Sequence, residues 1–133
     1  MIKKFIIPAI PLLLSISCKQ SFKQPEDAQD AGREFIRASL DGDYDKAGFY
    51  LYPDSTNKML FAKWKQDHEH LDHEEQKKYR DADILPVNIR TINDSVTSYT
   101  YANSYKKDTT TIRIIRINGQ WLVDLKEILN GKQ

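Results

Sequence analysis

The chain has 133 residues, of which 29% are charged and 40% are hydrophobic. This composition is typical of an ordinary folded domain and excludes a disordered chain. Its 20 Lys and Arg residues nearly balance 19 Asp and Glu residues, so there is no electrostatic reason to expect a nucleic acid partner. The single cysteine, Cys18, excludes an intramolecular disulfide.

Residues 1–17 have the three parts of an export signal. Two lysines near the start are followed by an apolar run over residues 5–16, which two prolines interrupt, and a small residue then precedes Cys18. An apolar run of about a dozen residues is too short to cross a bilayer, which needs about 20. We therefore expect residues 1–17 to be a signal peptide that is removed.

The residues before the cysteine, Leu14-Ser15-Ile16-Ser17-Cys18, resemble the lipobox of bacterial lipoproteins. The sequence departs from the usual box at Ser15, where leucine is common. The resemblance implies that Cys18 carries a lipid and holds the protein in the cell envelope, with the outer membrane favoured and the domain facing the periplasm or the surface. Residues 18–25 are then a lipidated cysteine and a flexible polar tether. The alternative is a plain secretory signal with an unmodified cysteine.

About 115 residues remain, enough for one domain with a core. Apolar residues spaced by three and four predict a first helix over residues 26–40, which Asp41-Gly42-Asp43 ends. A short second helix follows and ends at Pro53. A long third helix is predicted from residue 56 to residue 81.

From Ile84 onward the apolar period changes to two, which predicts four strands joined by turns. Three groups of side chains are each expected to share one face of a strand: Leu85, Val87 and Ile89; Tyr99, Tyr101 and Tyr105; and Trp121, Val123 and Leu125. Residues 110–117 form the remaining strand, and Asn118-Gly119 is a strong signal for a tight hairpin after it.

Three helices followed by four hairpin-connected strands predict an α+β fold, with the helices on one face of an antiparallel sheet. The segment Asp41–Ala47 and the strand pair around residues 118–123 resemble the nuclear-transport-factor-2-like (cystatin-like) superfamily, in particular its small bacterial lipoproteins of unknown function. The resemblance implies one domain over residues 26–130, in which N-terminal helices pack on a curved four-stranded antiparallel sheet to form a cone. The superfamily contains enzymes and non-catalytic binding modules, so function stays open.

Three histidines, His68, His70 and His73, fall close together on the predicted third helix. His70 and His73 are i,i+3 neighbours and are weak candidates for a metal site. The zinc-protease pattern is absent, because Asp72 stands where the second histidine would be. A solvated face with one histidine toward the core is favoured, and no metal or other cofactor is predicted.

Five aromatic residues would line a pocket if the cone is open: Tyr50, Trp64, Tyr99, Tyr101 and Trp121. Alternating tyrosines along a strand are more often packing residues than oxyanion donors, and none of the five matches a catalytic pattern. We therefore predict no catalytic residue.

Three functions remain. The leading hypothesis is a non-catalytic envelope lipoprotein that binds a small ligand or a protein partner, and a homodimer through the sheet is implied by analogy with the superfamily. The second is an isomerase- or hydratase-like enzyme, which predicts a buried carboxylate of raised pKa facing the pocket. The third is a structural component of an envelope complex, which predicts a filled cone and an exposed apolar patch.

Overall fold

A computed structural model describes residues 21–131, so the predicted signal peptide and Cys18 lie outside the described residues. In chain order the elements are α1 (Ala28–Asp41), α2 (Tyr44–Phe49), α3 (Ser55–Glu69), α4 (His73–Asp81), β1 (Ile84–Asn93), β2 (Val96–Asn103), β3 (Thr110–Ile117), β4 (Gln120–Asp124) and a terminal 3₁₀ turn (Lys126–Leu129). The predicted α+β class is confirmed. Within residues 21–131, none of the helices combines the length and apolar character needed to cross a membrane.

The four strands form one antiparallel sheet in the order β1-β2-β3-β4. Asn118 and Gly119 have φ values of 50° and 76°, the left-handed backbone that the predicted tight turn between β3 and β4 requires. The outer edge of β4 is covered by the segment after α2, since the Val123 N–H donates to the Tyr50 carbonyl at 2.7 Å. β1 lies at the other edge of the sheet.

Helix α1 packs across one face of the sheet, because its apolar residues form a single stripe toward the strands. Phe35, Ile36 and Ala31 are almost completely buried, together with Ile112 and Ile114 of β3. At Gly32 an added Cβ would lie only 3.1 Å from the ring of Tyr99. Glycine therefore lets the helix approach the sheet closely, and the core lies between these two layers.

The prediction of one helix from residue 56 to residue 81 is wrong, because the chain breaks at residues 70–72. Asp72 caps α4, and its carboxylate accepts a hydrogen bond from the Glu75 N–H at 2.8 Å. The Gln76 side-chain amide donates to the carbonyls of His68 and Leu71 at 3.1 and 3.3 Å. Both helix ends at the break therefore have hydrogen-bond partners. Asp72 followed by Glu75 at the third position was the sequence signal for this start.

The prediction that Leu85, Val87 and Ile89 share a face of β1 is also wrong. Pro86 pairs with Tyr101 and Asn88 pairs with Thr100, so Val87 is an extra residue that bulges out of the ladder. A bulge of one residue exchanges the two faces of a strand beyond it. Accordingly Ile89 is half-buried opposite Tyr99, whereas Leu85 and Val87 are 41% and 58% exposed.

Residues 21–25 are the described end of the predicted tether, and they contact the helices. The ring of Phe22 lies 5.6 Å from that of Phe49 between centroids. The Tyr50 hydroxyl donates a hydrogen bond to the Lys23 carbonyl at 2.9 Å. The chain therefore lies against α2 before α1 begins.

Candidate functional site

A cavity of about 350 Å³ lies between the C-terminal half of α1, helices α3 and α4, and the adjoining ends of β2 and β3. Its size falls in the range of small-molecule sites, about 300–1,000 Å³. The lining residues come from every one of these elements and from the residues next to them: Ile36, Ser39, Leu40, Tyr44, Trp64, Asp67, His68, Leu71, Tyr79, Tyr101, Asn103, Asp108 and Thr110.

The interior of the cavity is sheltered and aromatic. Four aromatic side chains line it, and each comes from a different element. They are Tyr44 of α2, Trp64 of α3, Tyr79 of α4 and Tyr101 of β2. Every lining residue is buried or half-buried except two, Asp67 and Asp108. The two exposed members are both carboxylates, so the solvent-facing rim of the cavity is acidic. The buried and half-buried members are aromatic, aliphatic and uncharged polar side chains.

Tyr44 and His68 form one wall of the cavity, with their rings edge to face and 5.6 Å apart between centroids. Burial raises the pKa of Tyr44 to about 12, and the carboxylates of Glu69 and Asp67 add to the effect. Burial lowers the pKa of His68, which Glu69 partly offsets. At neutral pH Tyr44 is therefore a protonated phenol and His68 is predominantly uncharged.

Tyr101 lies deep in the cavity, and Trp64 is fixed by the core behind it. Burial raises the pKa of Tyr101 and the neighbouring Thr110 hydroxyl partly lowers it, so the phenol stays protonated and can donate a hydrogen bond. The ring of Trp64 lies 5.7 Å from that of the buried Phe35. Because Phe35 is fully buried, this contact gives the indole a rigid backing.

Gly42 keeps the space that the His68 ring occupies. Its φ is 74°, and an added Cβ would lie 2.8 Å from His68 Nε2. We expect Gly42→Ala to lower the free energy of unfolding by about 1–3 kcal/mol, since left-handed backbone and steric conflict both oppose the methyl group. Urea unfolding followed by circular dichroism measures the loss, and the NMR chemical shifts of His68 report whether the ring moves.

Gly119→Ala is the matched control for this prediction. Its φ is nearly the same, 76°, but nothing lies within 4 Å of the added Cβ. It should cost only the backbone strain and leave the His68 resonances in place. Equal destabilisation by both substitutions, with His68 unmoved by either, would contradict the steric role assigned to Gly42.

The structure separates the five aromatic residues singled out from sequence. Trp64 and Tyr101 line the cavity, whereas the buried Tyr50 and Tyr99 do not. Trp121 is half-buried at the opposite end of the sheet, beneath the guanidinium of Arg116 at 5.5 Å from the ring centroid. Their common aromatic character predicted burial, but the place of each residue in the tertiary structure decided which of them reaches the cavity.

His70 and His73 lie exposed on either side of the break between α3 and α4. Among residues 21–131 there is no group of three or more His, Cys, Asp or Glu side chains arranged to hold a metal ion. His70 Nδ1 lies 2.7 Å from the Gln66 carbonyl, a contact that closes the end of α3. His68 is the histidine that turns inward and lines the cavity.

A second cavity, about 490 Å³, surrounds Trp121 near the start of α1. It is larger, but most of its lining residues are exposed, including Asp27, Thr91 and Asp94. An open depression of this kind cannot remove much of a ligand's surface from water. The sheltered cavity beside Trp64 is therefore the better candidate site.

Sequence reasoning missed the contributions of Tyr44, Tyr79, Asp67 and Asp108. Tyr79 recurs at helical spacing with Trp64, His68 and Leu71 over residues 56–81, which was the available signal for it. Tyr44 directly follows the α1 break, and the turn brings it back over α3. Asp108 lies between β2 and β3, where sequence alone predicts only a turn.

The enzyme hypothesis required a buried carboxylate facing the cavity. Among the described lining residues the two carboxylates, Asp67 and Asp108, are both exposed. The partly buried carboxylate of Asp124 lies elsewhere and accepts hydrogen bonds from the Asn57 side chain and the Lys126 N–H at 3.3 and 3.0 Å. The described lining therefore does not supply the buried carboxylate that this hypothesis required.

No protein-family profile matches the chain, and no curated protein sequence matches it. Among solved structures it is similar to a nuclear-transport-factor-2-like protein of unknown function from Shewanella oneidensis MR-1. The match has 12% sequence identity and a TM-score of 0.47, and covers 70% of this chain and 88% of that one.

Proposed function

We propose that this protein is a membrane-anchored envelope lipoprotein whose single nuclear-transport-factor-2-like domain binds a small molecule in the cavity beside Trp64. The observation that carries the binding role is the sheltered volume of about 350 Å³ with an aromatic interior. A structural component would be expected to fill this space with side chains. Binding there needs no rearrangement of the domain, because the space between the packed elements is already present.

The anchor is supported by the N-terminal sequence. A short apolar run, a small residue and a lone cysteine follow one another in the order that lipoprotein signals use. Acyl chains add about 0.8 kcal/mol for each buried methylene, so several chains together hold a domain at a membrane. The domain would then be held in the envelope and face the periplasm or the surface. Residues 22 and 23, in the described end of the predicted tether, contact α2 and the residue that follows it.

The anchor is tested by expressing the full chain in a Gram-negative host. Cys18 should become the mature N-terminus with a lipid mass added, and the protein should sediment with membranes. Cys18→Ser should release it from the membrane fraction, because the thioether can no longer form. Mass spectrometry of the N-terminal peptide and membrane fractionation measure both outcomes. Wild-type protein with an unmodified Cys18 would refute the anchor.

The binding role is tested with the neutral dye N-phenyl-1-naphthylamine, whose fluorescence rises in apolar surroundings. We expect saturable binding by the domain. Ser39→Leu places a larger side chain on the cavity wall and should weaken dye binding by at least about tenfold, since packed sites do not absorb extra volume easily. Fluorescence titration measures both proteins.

Thr91→Leu is the matched control, because Thr91 lines the second cavity near Trp121. It should leave dye binding unchanged. Circular dichroism establishes that both variants are folded. Dye binding that is absent from the wild type, or that Thr91→Leu weakens as much as Ser39→Leu does, would contradict a binding site beside Trp64.

A further inference from the structure

We propose that the cavity beside Trp64 is selective for an organic cation with a compact apolar body, such as a quaternary ammonium group. This inference rests on the proposed binding function and adds the chemical class of the ligand. It is carried by the combination of an aromatic interior with a rim whose exposed members are both carboxylates.

The charged side chains of the described lining favour a cation. Among the described lining residues there is no lysine or arginine, and the two charged members are Asp67 and Asp108. Lys63 pairs with Asp67 at 3.1 Å, but both side chains are about two-thirds exposed, 65% and 64%. Such a solvated pair contributes little and is easily exchanged for another cation. A phosphate or carboxylate ligand would meet no fixed positive group in this lining.

The interior offers aromatic surface on several sides. Trp64, Tyr44, Tyr79 and Tyr101 belong to four different elements and converge on one space. The face of an aromatic ring carries negative potential and attracts ammonium groups, most strongly when water is excluded. Ile36, Leu40 and Leu71 add aliphatic surface to the lining, which suits the methyl groups of a quaternary ammonium ion.

A neighbouring depression extends the acidic surroundings. It shares the wall of Tyr44 and His68 with the cavity. Among the described residues its lining contains three carboxylates, Asp43, Asp45 and Glu69, and one lysine, Lys65. Carboxylates therefore lie on both sides of this wall. The same charges act on the wall itself, since Glu69 and Asp67 help to raise the pKa of Tyr44. Fixed negative charge at a cleft concentrates cations there.

The test compares choline with 3,3-dimethylbutan-1-ol, a neutral molecule of the same shape in which carbon replaces nitrogen. The Trp121→Phe protein keeps Trp64 as its one tryptophan, so tryptophan fluorescence then reports on the cavity. We expect choline to perturb Trp64 at a concentration about five- to thirtyfold lower than the alcohol does, the range that a cation–π contact supplies. The anionic analogue 3,3-dimethylbutanoate should bind more weakly than either.

The rim carboxylates are tested in the same background. Asp67→Asn with Asp108→Asn should weaken choline binding by at least about fivefold and leave the alcohol unchanged, because only the cation interacts with the removed charge. Asp94→Asn, in the second cavity, is the control and should change neither. Added salt should also weaken choline binding, because it screens the charge of the rim carboxylates.

Several outcomes would overturn the inference. Equal binding of choline and the neutral alcohol would show that the cavity has no charge preference. The cation selectivity would then be refuted, and the proposed binding function would be retained. A perturbation of Trp64 by the alcohol and not by choline would reverse the assigned class. If neither molecule perturbs Trp64 while the naphthylamine dye binds, the cation class is refuted and the cavity is retained. An equal effect of Asp94→Asn would assign the selectivity to net charge and not to the rim.

Discussion

Phe35→Ala should lower the free energy of unfolding by about 3–5 kcal/mol, the usual cost of removing a fully buried aromatic ring. Phe35 lies on α1 and has no exposed surface. Its ring centroid is 6.1 Å from that of Phe61 and 5.7 Å from that of Trp64. The substitution therefore leaves an empty space in the core, directly behind the wall of the cavity that Trp64 forms. Urea unfolding followed by circular dichroism measures the effect.

Two further substitutions show that the loss comes from this position. Phe35→Leu keeps most of the apolar volume and should cost about 1–2 kcal/mol. Met59→Ala removes a side chain that is 62% exposed, and surface changes of this kind stay within about 0.5 kcal/mol. The prediction fails if Phe35→Ala costs no more than Met59→Ala. Dye binding by Phe35→Ala, where it remains folded, should also weaken, because Trp64 loses its backing.

Asn57→Ala should lower the free energy of unfolding by about 2–4 kcal/mol, because it leaves a buried donor without a partner. Asn57 is completely buried in the first turn of α3. Its side-chain carbonyl accepts a hydrogen bond from the Leu125 N–H at 2.7 Å, and its amide donates to the Asp124 carboxylate at 3.3 Å. One side chain therefore joins α3 to the end of β4.

The neighbouring Ser55→Ala is the comparison, since Ser55 is exposed at the start of the same helix. It should change stability by less than about 0.5 kcal/mol. Hydrogen exchange adds a local measurement, because the Leu125 amide should exchange much faster in Asn57→Ala than in the wild type. A Leu125 amide that stays equally protected would show that the Asn57 side chain is not its partner.

The order of elements followed from local signals. The apolar period is helical before residue 82 and strand-like after it, and Asn118-Gly119 marks a turn. These signals were sufficient to predict helices followed by four antiparallel strands. The errors arose where two signals competed. Residues 56–81 have a continuous helical stripe, and this pattern concealed the cap at Asp72. On β1 the alternation of Leu85, Val87 and Ile89 concealed a bulge, because a bulge is set by pairing with the neighbouring strand.

The sequence predicted the type of site, a pocket lined by aromatic residues, but only some of the residues that line it. Aromatic residues were expected around a cone, and Trp64 and Tyr101 do line the cavity. Tyr50 and Tyr99 pack elsewhere, and Tyr44 and Tyr79 were not foreseen. For Tyr44 and Tyr79 the reason lies in the helix breaks at residues 42 and 70–72, which set the direction of the following helix. When a helix changes direction, its side chains point to a different part of the structure. The spacing of residues within a helix does not encode that direction.

The sequence by itself determined the class of the fold, the turn between the last two strands and the residues able to fill a core, because these depend on the side-chain pattern of neighbouring positions. It also carries the predicted lipid signal at Cys18, which lies outside the described residues. The tertiary structure alone decided that a sheltered space remains beside Trp64 and that Asp67 and Asp108 stand at its rim. Asp108 is more than 40 residues from Trp64 and Asp67 in the chain, and only packing of the helices against the sheet brings these charges and rings to one place.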